Sequence, residues 1–462
     1  MTRTRNERLA ALLTEAGWSR AQAASAYNNI VRQTKDRSCT IIGRSHISMW
    51  VGGTRPTGRA PIILCQALSR QLKREITPND LGFEVPNAPP SGHAQWSVDP
   101  LVTLTDLGRM DLDPERRSLL TGAVYSAAAL AVPNEATWRA LAASTNAQDP
   151  RTTQRVGRGD VMAVRQLTVA FSQLDQRRGG GHGRTAVVQY LNSDVAAFLR
   201  GTFPDATVRR NMYSAAAELA YLAGWMAFDN AEHALAQRYF QLALTLAGYA
   251  ENEPLSGHIL RAMAHQAIDL GYYKLSLELS TESMKGQRYL SATPRERALL
   301  GVVHARGLAV NNGGGKTAKA LLKAEDDLRA AGDGIEEPHR TFFFGEASLA
   351  HETGCALRDS GDHQGAIHEL QRSVRTRGSA FKRTHVVTLG YLAAAQCGSG
   401  RVEEACKTWA QALDALEDGI YSGRARQTVL TMREQLSPFR HRGIPIVAKL
   451  DARGASYLAQ VD

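Results

Sequence analysis

A four-residue signature recurs five times over residues 224–412, and it constrains the fold of this chain more than any other feature. Each occurrence opens with a small residue, followed 12 positions later by a second small residue. A usually large residue comes 4 positions after that, and another small one 3 positions further on. The occurrences are Gly224/Ala236/Phe240/Ala243, Ala264/Ser276/Ser280/Ser283, Ala305/Thr317/Leu321/Ala324, Gly354/Ala366/Leu370/Ser373 and Ala393/Ala405/Trp409/Ala412. These offsets fit antiparallel helix pairs in close contact, with the large side chain filling the groove to the next pair.

The spacing resembles the tetratricopeptide (TPR) repeat, although the period is about 40 residues rather than the usual value of about 34. We therefore predict an all-α chain whose repeats form a TPR-like α-solenoid over residues 216–440. Weaker repeats indicate that a helical connector over 111–215 begins the same stack, and residues 441–462 are predicted to form a C-terminal tail.

Positive charge is concentrated at the N-terminus. Residues 1–90 hold 13 Lys and Arg against 6 Asp and Glu, whereas the rest of the chain holds 42 against 39. A small basic module joined to a nearly neutral body is typical of a nucleic-acid-binding domain.

The N-terminal module is predicted to contain four short helices. Ser19 and Gln22 have the spacing of a capping box that opens the second helix. The third helix is expected to run from Ser45, as its N-cap, to Gly52, with Trp50 in the core. The apolar faces of the four helices comprise Leu9, Leu12, Leu13, Ala23, Ala24, Tyr27, Ile47, Val51, Ile63, Leu64, Ala67, Leu68 and Leu72.

The segments GWSRAQAA, RSHISMWVGGTRP and ALSRQLKREITPNDLG resemble the lambda-repressor-like (Xre-type) helix-turn-helix domain. The resemblance implies that the third helix enters the major groove of double-stranded DNA. It assigns base contacts to Ser45, His46, Ser48 and Met49, and phosphate contacts to Gln22, Arg44, Arg55 and Arg59. One departure is the connection before the third helix, where about 15 residues from Asn29 replace a tight turn.

The domain boundary is predicted in VPNAPPSGHAQW, which spans residues 85–96 and is rich in proline, glycine and polar residues. We assign residues 1–88 to the helix-turn-helix domain and residues 89–110 to a linker.

The stretch RRSLLTGAVYSAAALAVP (116–133) looks like a twin-arginine export signal, but it follows 115 residues that themselves look folded. It is also too short to span a bilayer. We therefore predict a buried helix and a cytoplasmic, nucleoid-associated protein that does not enter a membrane. The five cysteines form no CxxC pair, so neither a zinc site nor a disulfide framework is predicted.

The segment LDQRRGGGHGR (174–184) allows two interpretations. Its glycines could expose backbone N–H groups to an anion, assisted by His182 or Arg184. The spacing of a phosphate-loop lysine is absent, and a flexible connection between two helices is favoured.

Over nearly its full length the chain resembles the actinobacterial helix-turn-helix–TPR transcriptional regulators. The resemblance rests on the basic N-terminal module, RRSLL, the GGGH connector, AGWMAFD and the repeats. These regulators are similar in architecture to peptide-sensing regulators of Gram-positive bacteria. The resemblance implies a homodimeric, sequence-specific DNA-binding regulator that responds to a small molecule or peptide. The alternative is a TPR adaptor whose basic module does not read DNA sequence. No catalytic motif appears in a matching context, so neither an enzyme nor a cofactor or metal is predicted.

Residues near the small residue that opens each repeat are expected to line the concave face of the solenoid. An aromatic end and a basic middle there would suit a short peptide or a small acid with an apolar group. The alternative is that the aromatic residues are core and that the arginines pair with acids such as Asp269 and Asp359. The candidate ligand-binding residues are Trp225, Phe228, Arg261, His265, Ile268, Arg306, His351, Cys355 and Arg358.

Overall fold

The structure is a computed structural model. It describes residues 4–33, 40–58, 60–72, 76, 78–83, 99–113, 125, 136–138, 140, 153–332, 334–440, 442 and 444–461. In these ranges every regular element is a helix, apart from one isolated bridge between Arg155 and Thr202. The predicted helix over residues 116–133 lies outside the described residues, except for Tyr125.

The described residues between 4 and 83, which we call the head, include four helices around their own apolar core: α1 (Glu7–Glu15), α2 (Arg20–Gln33), α3 (Arg44–Val51) and α4 (Ala60–Leu72). The predicted capping box is confirmed. The Ser19 N–H donates to Gln22 Oε1 at 2.8 Å, and the Gln22 N–H donates to Ser19 Oγ at 3.3 Å. Trp50 is buried and meets Tyr27 edge-to-face, as expected of a core residue.

Two boundaries in the head differ from the prediction. Helix α2 continues to Gln33, because Ile30 and Val31 extend its buried face, so the connection before α3 is shorter than predicted. The N-cap of α3 is Gly43 rather than Ser45, since His46 Nδ1 accepts a hydrogen bond from the Gly43 N–H at 3.1 Å.

The rest of the described chain, which we call the body, begins with α5 (Pro100–Leu112), α6 (Arg158–Arg178), α7 (Gly180–Tyr190), a π-helical turn (Leu191–Val195) and α8 (Ala196–Leu199). Helix α5 occupies residues 100–110 of the predicted linker (89–110), so the prediction of a linker is wrong for that part. Asp99 caps α5, and Leu101, Leu104 and Leu107 bury one of its faces.

The predicted helix pairs of the repeats are confirmed. They are α9 (Ala206–Asp229) with α10 (His233–Tyr249), α11 (Glu253–Asp269) with α12 (Tyr273–Ser283), α14 (Pro294–Val310) with α15 (Gly315–Arg329), α16 (Glu346–Asp359) with α17 (His363–Thr376), and α18 (Lys382–Gly398) with α19 (Val402–Glu417). The short α13 (Gln287–Leu290) lies between the second and third pairs.

The signature residues lie where the two helices of a pair approach each other. A Cβ on Gly224 would sit 2.8 Å from Cδ1 of Phe240, and a Cβ on Gly354 would sit 2.8 Å from Cγ of Leu370. Both distances are shorter than real contacts of a Cβ, so the opening position must be small for the helices to reach this separation.

Two further helices complete the chain, α20 (Gly423–Leu436) and α21 (Pro445–Val461). The C-terminal tail predicted over 441–462 is thus mostly helix. Val447, Leu450, Tyr457 and Leu458 of α21 are buried in the same core as α19 and α20. An end repeat exposes apolar surface unless another element covers it, which gives α21 a capping role.

The two ends of the helical stack meet. Arg383 at the start of α18 donates to Asp175 of α6 at 3.1 Å and to Asp229 of α9 at 3.2 Å. All three side chains are at most 2% exposed. Because late helices pack against early ones, the inner side of the stack becomes an interior rather than an open groove.

The GGGH connector joins α6 and α7, as the favoured interpretation predicted, but it is tightly packed rather than flexible. Gly179 has a φ of +90°, a conformation suited to glycine. The N–H groups of Gly180 and Gly181 donate to Asp229 Oδ2 and to the Tyr421 carbonyl oxygen, each at 3.0 Å. Arg184 pairs with buried Asp111 at 2.6 Å. These groups therefore serve the protein itself and not an anion.

Candidate functional site

The exposed surface of α3 is one candidate site. Arg44 and Ser45 are exposed in its first turn, and the side chain of Met49 is 47% exposed one turn later. Ile47, Trp50 and Val51 hold the opposite face in the head's core. The amphipathic pattern of α3 thus points polar groups and one flexible apolar side chain away from the head.

Two of the residues predicted to contact bases are engaged within the head. His46 accepts from the Gly43 N–H, as described above. Ser48 Oγ donates to the Arg44 carbonyl oxygen at 3.0 Å and accepts from Arg20 Nη1 at 3.2 Å. Ser45 and Met49 are therefore the more available side chains of the predicted set.

The predicted phosphate contacts have different surroundings. Gln22 is exposed, but its side-chain oxygen is used in the cap of α2, which leaves its amide NH2 as the donating group. Arg44 and Arg55 are exposed, and Arg59 lies outside the described residues.

Sequence reasoning missed Arg20, which is exposed and contacts α3 through Ser48. A charge count could have found it. Between Glu15 and Glu75 the chain carries one acid, Asp36, against ten basic residues: Arg20, Arg32, Lys35, Arg37, Arg44, Arg55, Arg59, Arg70, Lys73 and Arg74. Because this segment has only one acidic residue, its positive electrostatic potential is largely uncompensated.

The interior of the body is the second candidate site. The predicted aromatic residues are together there. Trp225 lies 5.4 Å from Phe228 and 5.9 Å from His265, measured between ring centroids. Arg261 lies over the ring of Trp225 and donates to the Tyr221 hydroxyl at 2.9 Å. These residues form a cluster in which Trp225 is half-buried and Phe228 is fully buried.

The predicted basic residues are paired. Arg306 donates to Glu352 at 2.9 Å and lies 3.7 Å from Asp269. Arg358 contacts Asp359 at 2.6 Å.

Beside these ion pairs, the buried His351 contacts Thr388 and Cys355. His351 Nδ1 meets Thr388 Oγ1 at 3.0 Å, and the other ring nitrogen faces Cys355 Sγ at 3.9 Å. Burial, followed by nearby arginines, lowers the pKa of His351 well below its usual value, so its ring is neutral. Burial also raises the pKa of Cys355 to about 12, which leaves an inert thiol.

A cavity of about 620 Å³ opens beside this cluster. Four of the predicted groove residues line it: Phe228, Ile268, Arg306 and Arg358. Helices α18 and α20 supply much of the remaining wall, including Tyr391, Arg424 and Arg426. The repeat pattern could not reveal Arg424 and Arg426, because α20 follows the last signature and reaches the cavity only when the stack closes.

The cavity wall is electropositive. It includes five arginines, Arg70, Arg306, Arg358, Arg424 and Arg426, against two acids, Asp269 and Asp359. Burial, followed by the nearby Arg70 and Arg424, lowers the pKa of His233 in the same wall to about 3, so this ring adds no charge. Burial opposes the charge of Arg424, but Asp269 and other groups outweigh it and raise its pKa.

Other classes of site find no support within the described residues. No group of three or more His, Cys, Asp or Glu side chains is placed to hold a metal ion. Among the helices described above, none has the length and apolar character that crossing a membrane requires.

Comparison with known proteins gives a match for the head. Residues 9–84 match the family described as the SP15 N-terminal domain. No curated protein matches the chain. Among solved structures, the chain is similar to a Rap protein complexed with competence and sporulation factor. The identity is 14%, the match covers 80% of this chain and 99% of that chain, and the TM-score is 0.36. A similarity at this level supports no conclusion about the fold, so the description of the body depends only on the helix pairs of this chain.

Proposed function

We propose that the protein is a sequence-specific regulator of transcription that binds double-stranded DNA through the head and a small effector through the body. The observation that carries the proposal is the nearly acid-free basic segment between Glu15 and Glu75. In it, exposed Arg20 and Arg44 lie beside or on α3, and exposed Arg55 follows the end of that helix by four residues. Phosphate neutralisation by such residues supplies most of the affinity of DNA-binding proteins.

In this proposal α3 enters the major groove. Ser45 offers a hydroxyl to base edges, and Met49 offers an apolar contact to a thymine methyl group. Arg20 and Arg44 contact phosphates and set the register. The protein would act in the cytoplasm on the nucleoid and would catalyse no reaction.

We expect Ser45→Ala and Met49→Ala to weaken binding to the specific site roughly 5- to 100-fold while leaving binding to random DNA nearly unchanged. Arg20→Ala and Arg44→Ala should weaken binding to the specific site and to random DNA alike. Each should also make the plot of log affinity against log salt concentration less steep by about 0.9. The site is first selected from genomic DNA with the full-length protein, and affinities are then measured by fluorescence anisotropy at several salt concentrations.

Arg329→Ala is the matched control, because Arg329 is an exposed arginine of the body that pairs with Asp326. It should change neither affinity nor slope. Selection of no preferred sequence, together with equal losses on all DNA, would contradict the proposal and favour a TPR adaptor that binds DNA only through charge.

We also propose that the regulator is a homodimer, since two heads on half-sites about one helical turn apart multiply specificity. Light scattering of the full-length protein should give twice the mass of one chain, and the operator should contain two related half-sites. A monomer bound to a single site would contradict this part of the proposal.

A further inference from the structure

The cavity of the body combines apolar and cationic surface in one partly open space. Its volume of about 620 Å³ is within the range of small-molecule sites. Apolar side chains from five different helices line it, namely Phe228, Ile268, Val310, Val387 and Leu430. A wholly polar ligand would leave this surface without a partner.

Two arginines of the wall share one acid at long distances, although Arg306 also pairs with Glu352 at 2.9 Å. Asp269 serves two arginines at once, Arg306 at 3.7 Å and Arg424 at 3.4 Å. Charge-assisted hydrogen bonds of this kind are shorter when fully formed, at about 2.7–2.9 Å. Arg306 is 1% exposed, and its Nε has no hydrogen-bond partner within the described part of the chain. An additional carboxylate in the cavity would be attracted to both guanidinium groups.

The head contributes to the same wall. Arg70 of α4 lines the cavity, and the turn between α11 and α12 lies directly against it. A Cβ on Gly271 in that turn would sit 3.1 Å from the Cα of Arg70. Asp269 and Tyr272, which flank the turn, both act electrostatically on Arg70. A molecule in the cavity would therefore touch the head and the body together.

We propose that the cavity binds a small organic monocarboxylate with an apolar group, and that its occupancy strengthens the contact between α4 of the head and the α11–α12 turn. The carboxylate would lie among Arg306, Arg424 and Arg70, with the apolar group against Phe228 and Val387. The effect on DNA binding rests on the proposed function of the head, whereas the binding site itself does not. A ligand that contacts both units couples them by its differential affinity for their two arrangements.

The test uses the full-length protein with octanoate, 4-phenylbutyrate and indole-3-acetate, each compared with its uncharged amide. At saturating concentration the acid that fits should raise the Tm and slow hydrogen exchange of the α4 amides, whereas its amide should do neither. Neither readout requires DNA, so failure of this inference is distinguishable from failure of the proposed regulator function.

Three variants locate the site. Arg424→Gln should weaken binding of the acid at least about tenfold through loss of a charged hydrogen bond. Ala394→Phe, which fills the cavity without removing a charge, should abolish binding. The exposed control Arg329→Gln should bind normally.

Several results would overturn the inference. These are the absence of a Tm shift with all three acids, equal shifts with the amides, or normal binding to Ala394→Phe. Binding that leaves the exchange of α4 unchanged would overturn the link to the head.

Discussion

Arg383→Met is expected to lower the free energy of unfolding by about 3–5 kcal/mol, because it leaves two buried carboxylates without their cation. Arg383, Asp175 and Asp229 are all at most 2% exposed, so water cannot replace the lost partner. Urea unfolding of the full-length protein, followed by circular dichroism, measures the change.

The loss should depend on pH. Burial raises the pKa of Asp175 to about 6 in the folded protein, although Arg383 opposes this shift. Without Arg383 the pKa would rise further. A carboxyl whose folded pKa exceeds its unfolded value destabilises the fold when it is ionised. The deficit of the variant should therefore be largest above that folded pKa and shrink as the pH falls through it.

Arg453→Met is the matched control, since Arg453 pairs with Asp414 and Glu417 at the surface, where its side chain is 32% exposed. Exposed pairs contribute about 0–1 kcal/mol. Similar losses in the two variants would show that the buried cluster does not hold the ends of the stack together.

Gly180→Ala is expected to destabilise the protein by about 3 kcal/mol through overpacking. The added Cβ would sit 2.5 Å from the carbonyl oxygen of Met226 and 2.8 Å from its Cα. Both are backbone atoms of α9, so a change of side-chain rotamer cannot relieve the clash. The midpoint of thermal or urea unfolding measures the effect.

Gly159→Ala provides the comparison, because Gly159 also lies in the first turn of a helix and has no atom within 4 Å of the position of its Cβ. Alanine favours helix over glycine by up to about 1 kcal/mol, so this variant should be as stable as the wild type or more stable. A neutral effect of Gly180→Ala would mean that α7 and α9 separate more easily than the structure indicates.

Local and nearest-neighbour features of this protein were predictable from the sequence. The capping box of Ser19 and Gln22 depends on residues three apart, and the small residue at Gly224 depends on Phe240, 16 positions later. Repeat proteins are built from contacts between adjacent helices, so their spacing leaves a regular pattern in the chain. The helix pairs, and the presence of Phe228, Arg306 and Arg358 on the inner side, follow from that pattern.

The tertiary structure alone decided what those inner residues face. Arg383 meets Asp175 and Asp229 across 208 and 154 residues, and Arg70 of the head reaches a cavity that α20 also lines. The period of the repeats predicts which helices pack as neighbours, but it does not predict the small rotation between successive helix pairs. That rotation accumulates along the stack and decides whether its ends meet. The electropositive cavity is a consequence of this closure, because only closure brings α18 and α20 to Phe228 and Arg306.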